Sequence, residues 1–326
     1  MASTNSYNFV VTRDQLITDA HLHIGAIGEG ESPTSSQVTE AARILNMLVK
    51  LRAAVGMPAW TMRRGVILPV TGVSSVSTVS HIVQEGSYVQ TTLSADEAAS
   101  QTVLSVTSST GMTASDQVGI ELTSGDMDWT TIVSVDSSTQ ITITTALTGA
   151  AASGSKVYAY TASSDRIPRP IRIIQANTLD LDNNTASEIE IMDRESYYAL
   201  SNRTTEGDPS ALWYDQRLGS ETADPTSSTT WYGTVFLWPR FQNGDSVIEF
   251  TYQRPFQDFD AASDHPDFPQ EFYLPLMLEL AALISRKFGY PQDERTMLFT
   301  EARAYLKEAL ESVSPEGSMR VQPSGS

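Results

Sequence analysis

Apolar residues recur at helical spacing only near the two ends of this 326-residue chain, and between them the pattern changes to the alternation of strands. A chain so divided draws its helices from both termini and folds its middle into β-structure. Near the start, Thr12 and Gln15 stand at capping-box spacing ahead of a stripe of Leu16, Ile17, Ala20, Ile24 and Ile27. This predicts a helix over 12–28, ended by Gly25, Gly28 and Gly30. Thr34 and Gln37 repeat the cap spacing, and Val38, Ala41, Ala42, Leu45, Leu48 and Val49 predict a second helix over 34–56, stopped by Gly56 and Pro58. At the far end, Asp267 and Pro269 open a helix over 267–288. Its Leu276, Met277, Leu280, Leu283 and Ile284 wrap most of the circumference, so it is expected to be buried, and Pro275 is expected to kink or delay it. After the Gly289 and Pro291 turn, Asp293 and Glu294 favour the first turn of a final helix over 291–313. Leu298, Ala302, Tyr305, Ala309 and Val313 form its inner stripe.

Residues 66–92 hold short β-rich runs, and 93–162 are biased toward Ser, Thr, Ala and Val. Within the latter, Thr102–Thr107, Gln117–Leu122, Trp129–Val135, Thr139–Thr144 and Lys156–Tyr160 are separated by polar turns, which predicts a small inserted sandwich or barrel. Further strands are expected at 171–174, 187–192, 211–214, 231–237 and 246–252, with a short helix after Asp193 and a loop over 221–230. The expected fold class is therefore α+β: a helical bundle formed from N- and C-terminal helical hairpins, a β-rich middle, and the inserted β module. The expected domains are a core of 1–92 with 163–313, the insert 93–162, and a flexible C-terminal tail 314–326.

There is no cysteine, so neither disulfides nor thiolate metal sites arise. Met1–Asn8 lacks the pattern of a signal peptide, and no apolar run is long enough for a membrane span. The net charge is −18. That balance suits solubility, and equally a surface that nucleic acid passes without adhering, because affinity for phosphate comes from Lys and Arg.

No constellation of side chains in the sequence points to chemistry. His21 and His23 are two apart on a helix and point to nearly opposite sides, and His81 and His265 have no ligand-like neighbours. Asp180-Leu181-Asp182-Asn183-Asn184 starts like a calcium loop but has Thr185 and Ile191 where that loop needs Gly and Glu, and reads as an acidic turn. Carboxylates such as Asp258, Asp260, Asp264 and Asp267 read as a solvated loop; no nucleophile elbow or zinc-helix motif is present. The aromatic groups Trp213-Tyr214, Trp231-Tyr232 and Trp238-Pro239 suit core or interface packing better than a sugar platform. No catalytic residue, cofactor or metal is expected.

Taken in order, several segments resemble one family. These are Thr12-Arg13-Asp14-Gln15-Leu16-Ile17, the Gln37–Leu51 helix, Met57-Pro58-Ala59-Trp60, Phe236-Leu237-Trp238-Pro239, Ile248–Tyr252, Asp267–Phe272 and Phe288-Gly289-Tyr290-Pro291. Over residues 10–65 and 168–312 the chain resembles the head-to-tail adaptors of short-tailed bacteriophages, and 85–165 is similar to the optional β inserts of some members. The resemblance implies a virion structural protein, made in the host cytoplasm and placed at the capsid vertex. It implies a ring, usually of twelve copies, docked on the portal protein and receiving the tail hub or nozzle, with double-stranded DNA passing through its lumen without specific binding and no membrane contact. It also implies a C-terminal extension that reaches into the portal, for which Met319, Arg320 and Val321 are the anchors available here. Two other classes compete: a peptidoglycan-degrading tail enzyme, and a carbohydrate- or receptor-binding tail module acting through the β insert.

Overall fold

The computed structural model describes residues 9–55, 61–78, 80–216 and 233–313. Its described helices are α1 (Arg13–His23), α2 (Ser35–Val55), α3 (Arg194–Ala199), α4 (Tyr273–Ile284) and α5 (Gln292–Val313). The chain falls into two compact units: Met1–Thr61 with Pro255–Ser326, and Met62–Arg254.

In the first unit, the cap residues do what their chemistry dictates. Thr12 Oγ1 accepts the Gln15 N–H at 3.3 Å while Gln15 Oε1 accepts the Thr12 N–H at 2.8 Å, satisfying two otherwise orphaned donors of α1. Thr34 and Gln37 repeat the exchange before α2. α1 stops at His23, short of the expected 28, with Gly25 taking a left-handed φ of 66° in the turn that follows. The helix expected over 267–288 is a 3-10 turn at Gln270–Phe272, then α4, then a second 3-10 turn at Ser285–Phe288. Pro275 sits in the first turn of α4, where its missing N–H costs nothing. Leu276, Leu278, Leu280, Ala281, Ala282 and Ile284 of α4 are all buried, and α1, α2 and α5 pack around it. The segment leading into α4 is tied to α2. Asn46 exchanges two hydrogen bonds with the Phe259 backbone, at 2.9 and 3.1 Å, and Lys50 Nζ donates to the Phe256 carbonyl at 2.9 Å.

The second unit is β-structure. Its strands are β1 (Met62–Ile67), β2 (Ser75–Ser77), β3 (Ile82–Gln84), β4 (Val89–Thr92), β5 (Val103–Ser105), β6 (Gln117–Glu121), β7 (Met127–Ser137) and β8 (Gln140–Ile143). They continue with β9 (Lys156–Tyr160), β10 (Arg172–Asp180), β11 (Thr185–Glu188), β12 (Glu190–Ile191), β13 (Ala211–Asp215), β14 (Thr234–Trp238) and β15 (Ser246–Gln253). Three sheets result, in the orders β11-β10-β15-β1-β3, β12-β13-β14-β2 and β4-β9-β6-β7-β8-β5.

Strand alternation explains how they stack. Ile248, Phe250 and Tyr252 of β15 face one side of the five-stranded sheet and share a core with Leu212, Val235, Leu237 and Val76 of the four-stranded sheet. Val247 turns to the other side, where with Val66, Leu68 and Val83 it meets Met127, Tyr158 and Tyr160 of the six-stranded sheet. That third sheet curls around Leu104, Val118, Ile120, Ile132, Ile141, Ile143 and Val157. It curls until its edges meet: Leu93 bridges Val106, and the Thr107 and Ser94 amides donate to the Thr92 and Ser105 carbonyls at 2.8 and 2.9 Å. Such closure hides two strand edges that would otherwise invite pairing with other chains.

The expected helical bundle of terminal hairpins is not the architecture. The molecule is mostly β-sheet, in three sheets, and only the α+β class stands. Two physical reasons account for the difference. A strand of three residues such as β2 is too short to display an alternation, and of β10 only the first residues stand out, so the sequence underweights them. Meanwhile α4, apolar all round, gathers its neighbours to itself, and α1 packs chiefly on α4 rather than on its sequence neighbour α2.

Candidate interaction surface

The residues singled out in the sequence do not converge. His21 is buried, its Nδ1 2.8 Å from the Ile17 carbonyl and its ring edge-on to Phe288. His265 Nδ1 lies 3.3 Å from the Val11 carbonyl. Asp180 caps the turn between β10 and β11, its Oδ1 accepting the Asp182 and Asn183 amides at 2.9 and 3.1 Å. Asp264 similarly accepts the Asp260 and Ala261 amides, at 2.7 and 2.6 Å, and these bonds hold its carboxyl below its ordinary pKa. Trp213 stacks on Phe236 at 4.6 Å beside Tyr197, and the Tyr214 hydroxyl donates to the Pro170 carbonyl. Among the described residues, no group of three or more His, Asp or Glu side chains is placed to hold a metal ion. No described helix is long and apolar enough to cross a membrane. Met319, Arg320 and Val321 lie outside the described residues, as do Met57–Trp60, the loop 221–230, Trp231-Tyr232 and the tail 314–326.

What the helical unit does present is apolar surface. On α2, Met47 and Leu51 stand one turn apart and are 57% and 58% exposed. Around Met47, the residues Ala42, Arg43, Asn46 and Lys50 line a shallow groove, with an apolar floor and polar rim. Because Asn46 and Lys50 are bonded to the 256–259 segment, the helix that carries this face is held rigid. α5 also exposes apolar side chains, spread around the helix. Its Leu298, Ala302 and Ala309 are buried, whereas Met297 is 69% exposed and Tyr305 and Leu310 are also open. Tyr305 and Leu283, assigned above to inward stripes, are thus partly turned to solvent. Met47 and Leu51 were overlooked in the sequence, although a signal existed: both fall off the stripe of Leu45, Leu48 and Val49, on the side a helix normally leaves polar.

Exposed apolar residues scattered singly are ordinary, but grouped on a rigid helix they mark surfaces that associate. Exposed apolar side chains thus stand on two different helices of the first unit, and those on α2 are one turn apart on one side. No model of a known protein family matches this chain, and a search of curated proteins finds no match either.

Proposed function

We propose that the chain is a head-to-tail adaptor: a structural virion protein that forms a ring between the portal and the tail hub or nozzle of a short-tailed bacteriophage. The observation that carries the proposal is the exposed apolar pair Met47 and Leu51 on α2, together with further exposed apolar side chains, Met297 foremost, on a different helix, α5. A ring contact is heterologous, so each subunit needs two different complementary surfaces, one for each neighbour. The order of motifs along the chain adds support, since the segments that resemble adaptors supply both the helical unit and the strands β14 and β15. The acidic balance supports it as well, because DNA traversing the ring finds few cations to bind. On this account the C-terminal Met319, Arg320 and Val321 anchor in the portal, and the ring has twelve copies as in the family the chain resembles.

The test is a variant of one face. Met47→Lys with Leu51→Lys, both exposed, is expected to retain the melting temperature of the parent and to fail to assemble on purified portal in sedimentation. Undiminished assembly would remove this surface, and with it the main support, from the proposal.

A further inference from the structure

The five-stranded sheet is covered by the curled sheet over only part of its outer face. On the remainder, strand register builds a small polar pocket. Arg64 of β1 stands opposite Thr251 of β15, which stands opposite Gln175 of β10; in the next row Glu249 lies beside Asn177. A short Thr between two long side chains leaves a depression. These residues enclose a cavity of about 200 Å³. A β-bulge between Ile173 and Gln175 changes the parity of β10, turning Gln175 and Asn177 onto this face while Ile173 and Ala176 stay in the core. Bulges of this kind re-aim side chains beside functional sites.

The polar groups select a ligand class. Arg64 Nη1 lies 2.7 Å from Glu85 and its Nη2 lies 2.9 Å from Glu249, so the guanidinium is fixed in place and already neutralised. The three groups together carry one net negative charge, which disfavours an entering anion. Gln175 and Asn177 make no side-chain hydrogen bond among the described residues, and each amide presents a donor beside an acceptor. That pairing matches adjacent hydroxyls, which also donate and accept. The volume is below the roughly 300–1,000 Å³ of sites for drug-sized molecules, and suits a single ring.

We propose that this pocket binds one neutral sugar ring, through vicinal hydroxyls held between the amides of Gln175 and Asn177 and the Arg64–Glu249 pair. Sugar binding here goes beyond the adaptor proposal and does not depend on ring formation. The experiment is saturation-transfer NMR on the full chain with methyl glycosides of the common hexoses and N-acetylhexosamines, alongside inorganic phosphate and spermidine followed by titration. At least one glycoside is expected to receive saturation. Its affinity is expected to fall about tenfold in Gln175→Ala with Asn177→Ala, the loss of two ordinary hydrogen bonds. The variant is expected to keep its melting temperature, since neither amide bonds another group among the described residues. No transfer to any glycoside, or transfer unchanged in the variant, overturns the proposal. So does tighter binding of phosphate or spermidine than of every glycoside.

Discussion

At position 81 a histidine occupies the left-handed region, with φ of 55°, where residues other than glycine are uncommon. Its amide donates to the Tyr160 hydroxyl at 3.0 Å, and its ring lies 4.1 Å from that of Trp129. Burial, and secondarily the charge of Arg166, holds its pKa down at about 4. The consequence for stability has a definite sign. As pH falls, the unfolded chain takes up a proton near the ordinary value of about 6.5, whereas the folded chain resists until about 4. Between those values the unfolded state binds more protons, so stability is lost as pH is lowered, by up to about 3 kcal/mol. Urea unfolding across that window should show the loss, and His81→Asn, which tolerates the same φ, should flatten it; an unchanged slope would remove His81 as its source. A second residue-scale prediction concerns Gly119, where an added Cβ would sit 2.6 Å from the Trp129 ring. Trp129 Nε1 donates to the Pro69 carbonyl at 3.0 Å, between the curled sheet and the segment that leaves β1. Gly119→Ala is therefore expected to displace the indole, change its fluorescence and cost about 1–3 kcal/mol in denaturant unfolding.

Among elements, the contact of α2 with α4 depends on a charge pair. Glu279 is buried on α4, and both its oxygens are held by Arg52 of α2, one of them from Nε at 3.1 Å. Removing one partner leaves the other charge without compensation. Arg52→Met is expected to destabilise the protein by about 3–5 kcal/mol, and adding Glu279→Leu is expected to recover most of the loss. Chemical denaturation of the single and double variants measures both, and a double variant no better than the single would refute the pairing. The elements also mark what the sequence could disclose. Helix starts were legible because Thr12 with Gln15, Thr34 with Gln37, and Asp193 before α3 are local chemistry, seen in neighbours three residues apart. Pairing was not. Nothing near Leu93 points to Val106 across the closure of the curled sheet, and nothing near Arg64 points to Gln175, more than a hundred residues away. The polar pocket and the seam at His81 both arise from such long-range register, which explains why neither was visible as a motif. The exposed pair on α2 was missed, although Met47 and Leu51 are local to one helix and depart from its stripe.

For the whole molecule, the proposed role turns on association. A subunit of net charge −18 repels its own copies at long range, and salt screens this beyond about 10 Å at 0.1 M. In the proposed role, the exposed apolar side chains of α2 and α5 would supply the short-range attraction. Assembly on the portal is accordingly expected to strengthen as ionic strength rises through the physiological range, which light scattering at a series of salt concentrations can follow. Weakening with salt would instead assign the contact to ion pairs between subunits. The most direct measurement of the proposed role is electron microscopy of the purified chain mixed with a purified portal protein of a short-tailed bacteriophage. The account predicts a ring of twelve copies seated on the portal with an open central channel; a chain that binds no portal, or that binds without forming a ring, would contradict it.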